Sequence, residues 1–357
     1  MSSSRLDGLR AKMKSEGLDA LLVNGHANRY YLSGFTGTYG QVLIAEQKQF
    51  VIADGRYFEQ LKTQSPDFTV VDNQMRMVET IAKLVDQEGY QHLGIETDEM
   101  NVTEYLGLKA GAKKVTMIPT QNWIESQRML KDADEQKKIQ AAAAISDATF
   151  NHILKFIQPG MTERQVANEI DAYGLAHGAD APAFETIVAS GGRSALPHGH
   201  ASNKVINNHE LIILDFGFEK DRYFSDITRT IALGSVAPEL RHIYDVTLSA
   251  QQAAIAACHQ GVAMKAIDAT AREYIAAQGL GDRFLHGTGH GLGLTVHEYP
   301  LLNADSTENL QAHMTFTVEP GIYLEGQGGV RIEDDVWLND DGEPELMTHA
   351  PKEWIQL

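Results

Sequence analysis

One acidic residue interrupts an apolar run in the second half of the chain. Asp215 follows the apolar residues 211–214 and precedes Phe216. Such a run is typical of a buried strand, and a buried carboxylate costs several kcal/mol unless it is paired or binds a metal. Four other residues occupy similarly unusual positions, namely Asp226, His290, Glu319 and Glu333. If the five converge in the folded chain, they form a complete ligand set for two metal ions.

Length and composition set the outer limits. At 357 residues the chain predicts two domains, and its net charge of −18 argues against nucleic acid or an anionic membrane as a partner. No apolar stretch is long enough to span a membrane, and Met1–Arg5 lacks the apolar core of a signal peptide. Cys258 is the single cysteine, which excludes an intrachain disulfide and favours a cytoplasmic location.

Hydrophobic periodicity divides the chain near residue 130. Strands alternate with helices before that point, which predicts a small α/β domain with a mixed sheet over residues 1–130. Residues 131–357 read as the second domain, opening with a helix over 133–157 and a Thr162–Gln165 capping box. Its helices and strands come in runs, which favours an α+β fold with a curved antiparallel sheet. The predicted strands there are 184–190, 211–218, 222–233, 314–319 and 330–338.

The first two acids fit a hairpin. Asp215 and Asp226 are expected on adjacent strands joined by a turn near residues 219–221, with both carboxylates on one face. Two such carboxylates repel each other, and a divalent cation would remove the conflict. The alternative is a hairpin with solvent-facing acids, and this pair alone leaves both interpretations open.

The other three residues follow further along the chain. His290 lies in a glycine-rich segment over residues 286–293 whose spacing does not match a dinucleotide-binding motif. Glu319 precedes a Pro-Gly pair, and Glu333 shares a predicted strand face with Arg331. The four acids carry −4 and two divalent ions +4, so the site would be neutral before a bridging hydroxide binds. Oxygen-rich ligation with one imidazole suits Mn²⁺, Co²⁺, Fe²⁺ or Zn²⁺.

Five strings carry a resemblance to a known family. They surround the residues already named and cover the second domain in order: 213–217, 225–230, 286–293, 318–323 and 329–334. The sequence resembles the metallopeptidases that include Xaa-Pro dipeptidase (prolidase), aminopeptidase P and methionine aminopeptidase, with creatinase as a metal-free relative. Residues 28–37 and 54–57 resemble the creatinase-type N-terminal domain of the same family.

The resemblance implies a pita-bread α+β catalytic domain and a role for each residue. Asp215 would hold one metal, His290 and Glu319 the other, and Asp226 and Glu333 would bridge both. Glu319 would also move a proton. His198 would lie beside the substrate, and His297 would stabilise the intermediate or shuttle a proton; both are counted as catalytic and substrate-binding. His286, four residues before His290, is not assigned as a ligand.

The implied reaction is hydrolysis of the bond before proline, with release of the N-terminal residue by a metal-bridging hydroxide. Two ions per chain are expected, with Mn²⁺ the first choice. Some family members carry an arginine four positions after the histidine that matches His297, where this chain has Leu301, so dipeptides and longer peptides both stay open. Arg331 is the candidate anchor for the substrate.

Two alternatives and an assembly also follow from the resemblance. A non-catalytic or metal-free creatinase-like member is the alternative function, although all five ligands are present. Methionine aminopeptidase lacks the long N-terminal domain and is disfavoured. The N-terminal domain is expected to pack against a neighbouring chain and cap its site, which predicts a homodimer.

Overall fold

The structure is a computed structural model that describes residues 3–357; the first two residues of the N-terminal segment lie outside the described residues. The chain divides into two compact units, Met1–Arg128 and Met129–Leu357. Across the part of the chain that the structure describes, no helix combines the length and apolar character needed to cross a membrane.

The first unit is built on one six-stranded sheet, in the order β4-β3-β2-β1-β5-β6. Strand β1 pairs antiparallel with β2 and parallel with β5, so the predicted mixed sheet is confirmed. The strands are β1 (Ala20–Val23), β2 (Gln41–Ala45), β3 (Gln49–Ala53), β4 (Thr69–Asp72), β5 (His92–Glu96) and β6 (Thr116–Thr120). The helices are α1 (Ser3–Ser15), α2 (His26–Ser33), α3 (Phe58–Gln64), α4 (Met77–Glu88), α5 (Val102–Gly111) and α6 (Trp123–Arg128).

The second unit combines four long helices with thirteen short strands in the described chain. Thr162 and Gln165 form the predicted capping box at the start of the second helix. The helices are α7 (Ala133–Phe156), α8 (Glu163–Ala176), α9 (Pro238–Ala256) and α10 (Met264–Ala277). The strands are β7 (Ala181–Pro182), β8 (Ile187–Ser190), β9 (Glu210–Phe216), β10 (Phe218–Lys220), β11 (Tyr223–Phe224), β12 (Ile227–Leu233), β13 (Gly289–Gly291), β14 (Glu298–Leu302), β15 (Thr315–Val318), β16 (Gly321–Leu324), β17 (Gly328–Arg331), β18 (Asp334–Leu338) and β19 (Pro344–Leu346).

Antiparallel sheets hold the second unit together, as predicted. The two that carry the site have the orders β12-β9-β8 and β14-β13-β15-β18-β19. One apolar cluster joins α7 and α8 to β9 through residues such as Phe150, Val166 and Leu214. Another joins α9 and α10 to the five-stranded sheet through residues such as Ile243 and Phe316. The helices thus cover the sheets, and the polar strand faces turn toward the site.

Three of the predicted strands were wrong in one respect. The spans 211–218, 222–233 and 330–338 were each expected to be continuous, but each is broken into two strands. The break in 211–218 falls at Gly217, that in 222–233 contains Asp226, and that in 330–338 contains Glu333. The break at Glu333 occurs because the chain leaves the β16–β17 hairpin there and joins β15 in the five-stranded sheet. A period-two pattern carries no signal for such a change of sheet.

Candidate metal centre

One cavity of about 420 Å³ in the second unit collects every residue assigned to the site from the sequence. The predicted ligands all line it: Asp215, Asp226, His290, Glu319 and Glu333. So do the two predicted catalytic histidines and the predicted substrate anchor, His198, His297 and Arg331. Residues up to 135 positions apart in sequence therefore line the same cavity.

Strand alternation sends the carboxylate of Asp215 toward this cavity. Its neighbours Leu214 and Phe216 point to the opposite face of β9, into the cluster with α7 and α8. Strand β12 pairs antiparallel with β9, with Thr228 opposite Asp215, so Asp226 comes just before the paired segment. A Cβ on Gly217 would lie 1.9 Å from the carbonyl oxygen of Ser225, so only glycine permits this approach of the two chains.

His290 and Glu319 are brought together by neighbouring strands. His290 lies on β13, which pairs with β15, and its backbone N–H donates to Oγ1 of Thr317 at 3.2 Å. The same hydroxyl lies 3.3 Å from Oε1 of Glu319. A Cβ on Gly289 would lie 1.9 Å from the carbonyl oxygen of Thr317. The glycine-rich segment therefore permits close contact between the two strands.

Glu333 is held in its strand break by β12. Its backbone N–H donates to the carbonyl of Thr228 at 3.1 Å, and the hydroxyl of Thr228 donates to Oε2 of Glu333 at 2.6 Å. Arg331 also donates to that hydroxyl, at 3.2 Å. The predicted common strand face of Arg331 and Glu333 does not exist, because the strand ends between them; Thr228 brings them together instead.

The spacing of donor atoms fits a metal ion. One ligand atom from each of Asp226, His290 and Glu333 lies within 4.8 Å of the others. Nε2 of His290 is also 3.4 Å from Oε1 of Glu319. Nδ1 of His290 lies 3.1 Å from the carbonyl of Gly291, an arrangement that leaves Nε2 as the coordinating nitrogen. Oδ1 of Asp226 is buried and accepts no hydrogen bond from a described residue. These residues fit a divalent cation.

Electrostatics in the cavity also favour the binding of a cation. Burial and the charges of Glu333 and Asp215 raise the pKa of Asp226 well above its usual range. Burial and the charges of Glu319 and Asp215 raise the pKa of Glu333 in the same way. Burial raises the pKa of Glu319 and lowers the pKa of His290, which keeps the imidazole neutral. A cation between these groups would stabilise the ionised carboxylates, and the neutral imidazole is already in its ligand form.

Arg331 is fully engaged within the protein. Its Nη2 donates to Oδ2 of Asp215 at 2.5 Å, and its Nε donates to Thr228. Its Nη1 donates to the carbonyl of Pro197 at 3.1 Å and to the hydroxyl of Tyr323 at 2.8 Å. All three nitrogens of the guanidinium thus have protein acceptors, and the group orients Asp215.

The histidines around the centre differ in their partners. His198 and His297 line the cavity, and no described residue forms a hydrogen bond with either ring. The ring of His297 lies 4.3 Å from that of His290, and burial followed by the charge of His290 lowers its pKa. His286 instead has Nε2 2.8 Å from the hydroxyl of Tyr323 and Nδ1 2.8 Å from the carbonyl of Gly287. His198 and His297 are therefore the rings available to a substrate.

Three residues in this environment were not predicted. Thr228 contacts Glu333 and Arg331, Tyr323 connects His286 to Arg331, and Asn303 lines the cavity. A signal existed for Thr228, which follows Asp226 by two residues and therefore shares its face in the predicted strand 222–233. Tyr323 and Asn303 carried no such signal, because their neighbours in the site are set by tertiary contacts.

Comparison with known proteins agrees with this centre. The model of metallopeptidase family M24 matches residues 137–340, and that of the creatinase/prolidase N-terminal domain matches residues 5–130. The chain belongs to metallopeptidase family M24 and carries the creatinase-type N-terminal domain. The predicted family and the pita-bread α+β fold class are thereby confirmed, and the family implies divalent metal ions.

Three similar proteins illustrate the range of the family. The chain is 42% identical to an uncharacterized peptidase, YqhT, of Bacillus subtilis (strain 168), over 99% of this chain and 100% of that one. A solved Xaa-Pro dipeptidase from Bacillus anthracis has a TM-score of 0.96 at 41% identity and covers 99% of both chains. A solved X-Pro aminopeptidase from Thermotoga maritima MSB8 has a TM-score of 0.88 at 36% identity, over 96% of this chain and 100% of that one.

Proposed function

We propose that this protein is a dinuclear-metal exopeptidase that hydrolyses the peptide bond before proline and releases the N-terminal residue. The observation that carries the proposal is the convergence of Asp226, His290 and Glu333 to within 4.8 Å, in a cavity that Asp215 and Glu319 also line. In this proposal Asp215 would hold one ion, His290 and Glu319 would hold the other, and Asp226 and Glu333 would contribute to both.

Two bound divalent ions, with Mn²⁺ as our first choice, would lower the pKa of a water and polarise the scissile carbonyl. The side chains of this chain supply the rest. The free α-amine of the peptide would bind at this centre, which explains an exopeptidase. Glu319 carries a proton from the attacking water toward the leaving proline nitrogen.

The two unpartnered histidines handle the reacting amide. His297 donates to the oxygen that becomes negative in the tetrahedral intermediate, and His198 orients the peptide beside it. An amide before proline has no N–H, so a protease that needs that hydrogen bond binds it poorly. Recognition of the peptide by charge and by histidine donors does not require an N–H on the scissile amide. Xaa-Pro peptides are therefore the proposed substrates.

Reconstitution tests the proposal. Purified protein is stripped with a chelator, reloaded with Mn²⁺, Co²⁺ or Zn²⁺, and assayed on Ala-Pro and Ala-Pro-Ala. We expect two ions per chain and release of free alanine, with Glu333→Ala at background. Glu325→Ala, an exposed glutamate outside the cavity, is the matched control. Full activity in the chelated protein, or in Glu333→Ala, would support the metal-free creatinase-like alternative instead.

A homodimer belongs to the same proposal, with the N-terminal unit of one chain capping the site of its neighbour. Val102 and Leu106 support it, because they lie four residues apart on α5 and are 72% and 56% exposed. Light scattering across a dilution series should give twice the chain mass, and a monomer with unchanged activity would contradict the dimer. A cytoplasmic location, expected from the single cysteine, is also proposed.

A further inference from the structure

Asn303 follows directly after β14 and lines the cavity. Within β14, Pro300 and Leu302 are buried, whereas Tyr299 and Leu301 on the other face are exposed. Asn303 continues that exposed face and lines the cavity. Strand β13 pairs with β14, and Gly289 lies opposite Leu302. Asn303, the residue after Leu302, therefore lies close to Gly287, which precedes β13. A Cβ on Gly287 would lie 3.1 Å from that of Asn303, which shows how closely the two pack.

Local hydrogen bonds set the orientation of the Asn303 amide. Its Oδ1 accepts from the backbone N–H of Asp305 at 3.0 Å. The hydroxyl of Ser306 lies 3.1 Å from the same oxygen, but its single proton also faces the carbonyl of Leu301 at 2.5 Å. The backbone N–H of Asn303 donates to that hydroxyl at 3.2 Å. Because Oδ1 accepts from Asp305, Nδ2 is the other end of the amide, and it donates to no described residue. Asn303 therefore offers a fixed and unused N–H donor.

The cavity offers no free side-chain cation of the arginine or lysine type. Within residues 3–357, Arg331 is the only arginine or lysine that lines it, and its three nitrogens are engaged by Asp215, Thr228, Tyr323 and Pro197. On another part of the lining, Nδ1 of His200 lies 3.5 Å from Oε2 of Glu185. A peptide carboxylate could therefore bind Arg331 only by competing with Asp215.

A bound peptide has two unlike ends. Its N-terminal amine would bind at the metal centre, so its proline end must find a donor elsewhere in the cavity. We propose that Asn303 is a specificity-determining residue whose Nδ2 donates to the oxygen on the C-terminal side of the substrate proline. A neutral amide bonds a carboxylate and a peptide carbonyl alike, so the protein accepts Xaa-Pro dipeptides and longer Xaa-Pro peptides. This inference rests on the proposed function.

Three substrates that differ only beyond proline test it: Ala-Pro, Ala-Pro-NH₂ and Ala-Pro-Ala, each with metal-loaded protein. We expect wild-type kcat/KM values for Ala-Pro and Ala-Pro-NH₂ within about threefold of each other, because a neutral donor barely separates them. Asn303→Asp keeps the acceptor for Asp305 and Ser306 but replaces the donor with a negative charge. It should lower kcat/KM for Ala-Pro at least about tenfold relative to Ala-Pro-NH₂, mainly through KM.

Two further variants complete the design. Asn151→Asp, on the exposed surface of α7, is the matched control and should leave the ratio unchanged. Leu301→Arg places a cation on the same strand face and should raise kcat/KM for Ala-Pro about tenfold over Ala-Pro-Ala. Metal content and Tm are measured for each variant, to separate an effect on binding from a loss of fold.

The outcomes distinguish the inference from the function beneath it. Cleavage of all three peptides with an unchanged ratio in Asn303→Asp would overturn the role of Asn303 alone. So would a wild-type preference for the free carboxylate above about a hundredfold, which requires a cationic anchor. If metal-loaded wild-type protein cleaves none of the three, the proposed function itself fails, and the role of Asn303 fails with it.

Discussion

Arg331 and Asp215 form a buried ion pair with Nη2 and Oδ2 2.5 Å apart, although 116 positions separate them in sequence. The pair connects the last strand of the β16–β17 hairpin to β9. Arg331, which was predicted from the sequence to anchor the substrate, thus contacts Asp215, a predicted metal ligand.

Arg331→Lys should reduce activity without changing substrate choice. A lysine keeps the charge but cannot reach Asp215, Thr228 and Tyr323 together, so Asp215 loses its orientation. We expect metal affinity and kcat to fall about 10- to 100-fold, equally for Ala-Pro and Ala-Pro-Ala. Arg241→Lys, in an exposed pair with Asp245, is the control. A rise in KM confined to Ala-Pro would instead make Arg331 the carboxylate anchor.

Glu333→Gln should stabilise the protein in the absence of metal. At a pH high enough to ionise it, the wild-type carboxylate is buried in its charged form beside Glu319 and Asp215, and removing that charge relieves the repulsion. Differential scanning calorimetry in chelator at alkaline pH should show Tm a few degrees above wild type, whereas added Mn²⁺ should stabilise only the wild type. Glu325→Gln should change neither value. A lower Tm for Glu333→Gln in chelator would mean that repulsion does not dominate the centre.

The stability of the metal-free protein should fall as pH rises. Asp226, Glu319 and Glu333 have pKa values raised in the folded state, so the folded state binds more protons than the unfolded state. Their contribution is therefore full below the ordinary carboxyl range and is lost as pH rises through the raised values. Unfolding in urea with chelator, at pH 5 and pH 8, measures the difference.

Metal and mutation provide the controls for that pH dependence. Metal binding requires deprotonated ligands, so saturating Mn²⁺ should reduce or reverse the trend. Glu333→Gln removes one of the three groups and should make the metal-free profile flatter than that of wild type. Identical slopes for the variant and wild type would exclude the cluster as the origin.

A second buried pair supports the segment that carries His297. Nζ of Lys131 lies 2.8 Å from Oε1 of Glu298, and the two side chains are only 1% and 5% exposed. Lys131→Met removes this cation from beside the buried Glu298 and should cost about 3–5 kcal/mol of unfolding free energy. Because Glu298 adjoins His297, kcat should fall as well. Urea unfolding and kinetics on one preparation measure both effects.

An exposed pair and a double variant test the interpretation. Lys12→Met removes the partner of Glu16, in a pair with both side chains 49% exposed, and should change stability by less than about 1 kcal/mol. In Lys131→Met/Glu298→Gln the uncompensated charge is gone, so part of the stability should return. A double variant as unstable as the sum of the two single variants would show that the pair does not act as a unit.

Much of the fold could be predicted from local sequence patterns. The apolar run that contains Asp215 folds as β9, and the mixed sheet and the capping box of Thr162 follow from period-two alternation and cap chemistry. The strand breaks at Asp226 and Glu333 could not be predicted from these local patterns. At both positions the chain changes its pairing partner, and that choice depends on strands far away in sequence.

For the candidate site, the sequence alone determined which side chains to consider. A carboxylate in an apolar strand or a histidine among glycines is costly or unusual wherever the chain places it, so Asp215 and His290 were conspicuous before any geometry was known. Only the tertiary structure determined which contacts the neighbouring side chains make. Arg331 is neutralised by Asp215, and the amide of Asn303 is turned by Asp305 and Ser306 so that its donor stays unused. Burial cost is a property of one residue in its local run, whereas charge pairing depends on contacts that only the folded chain creates.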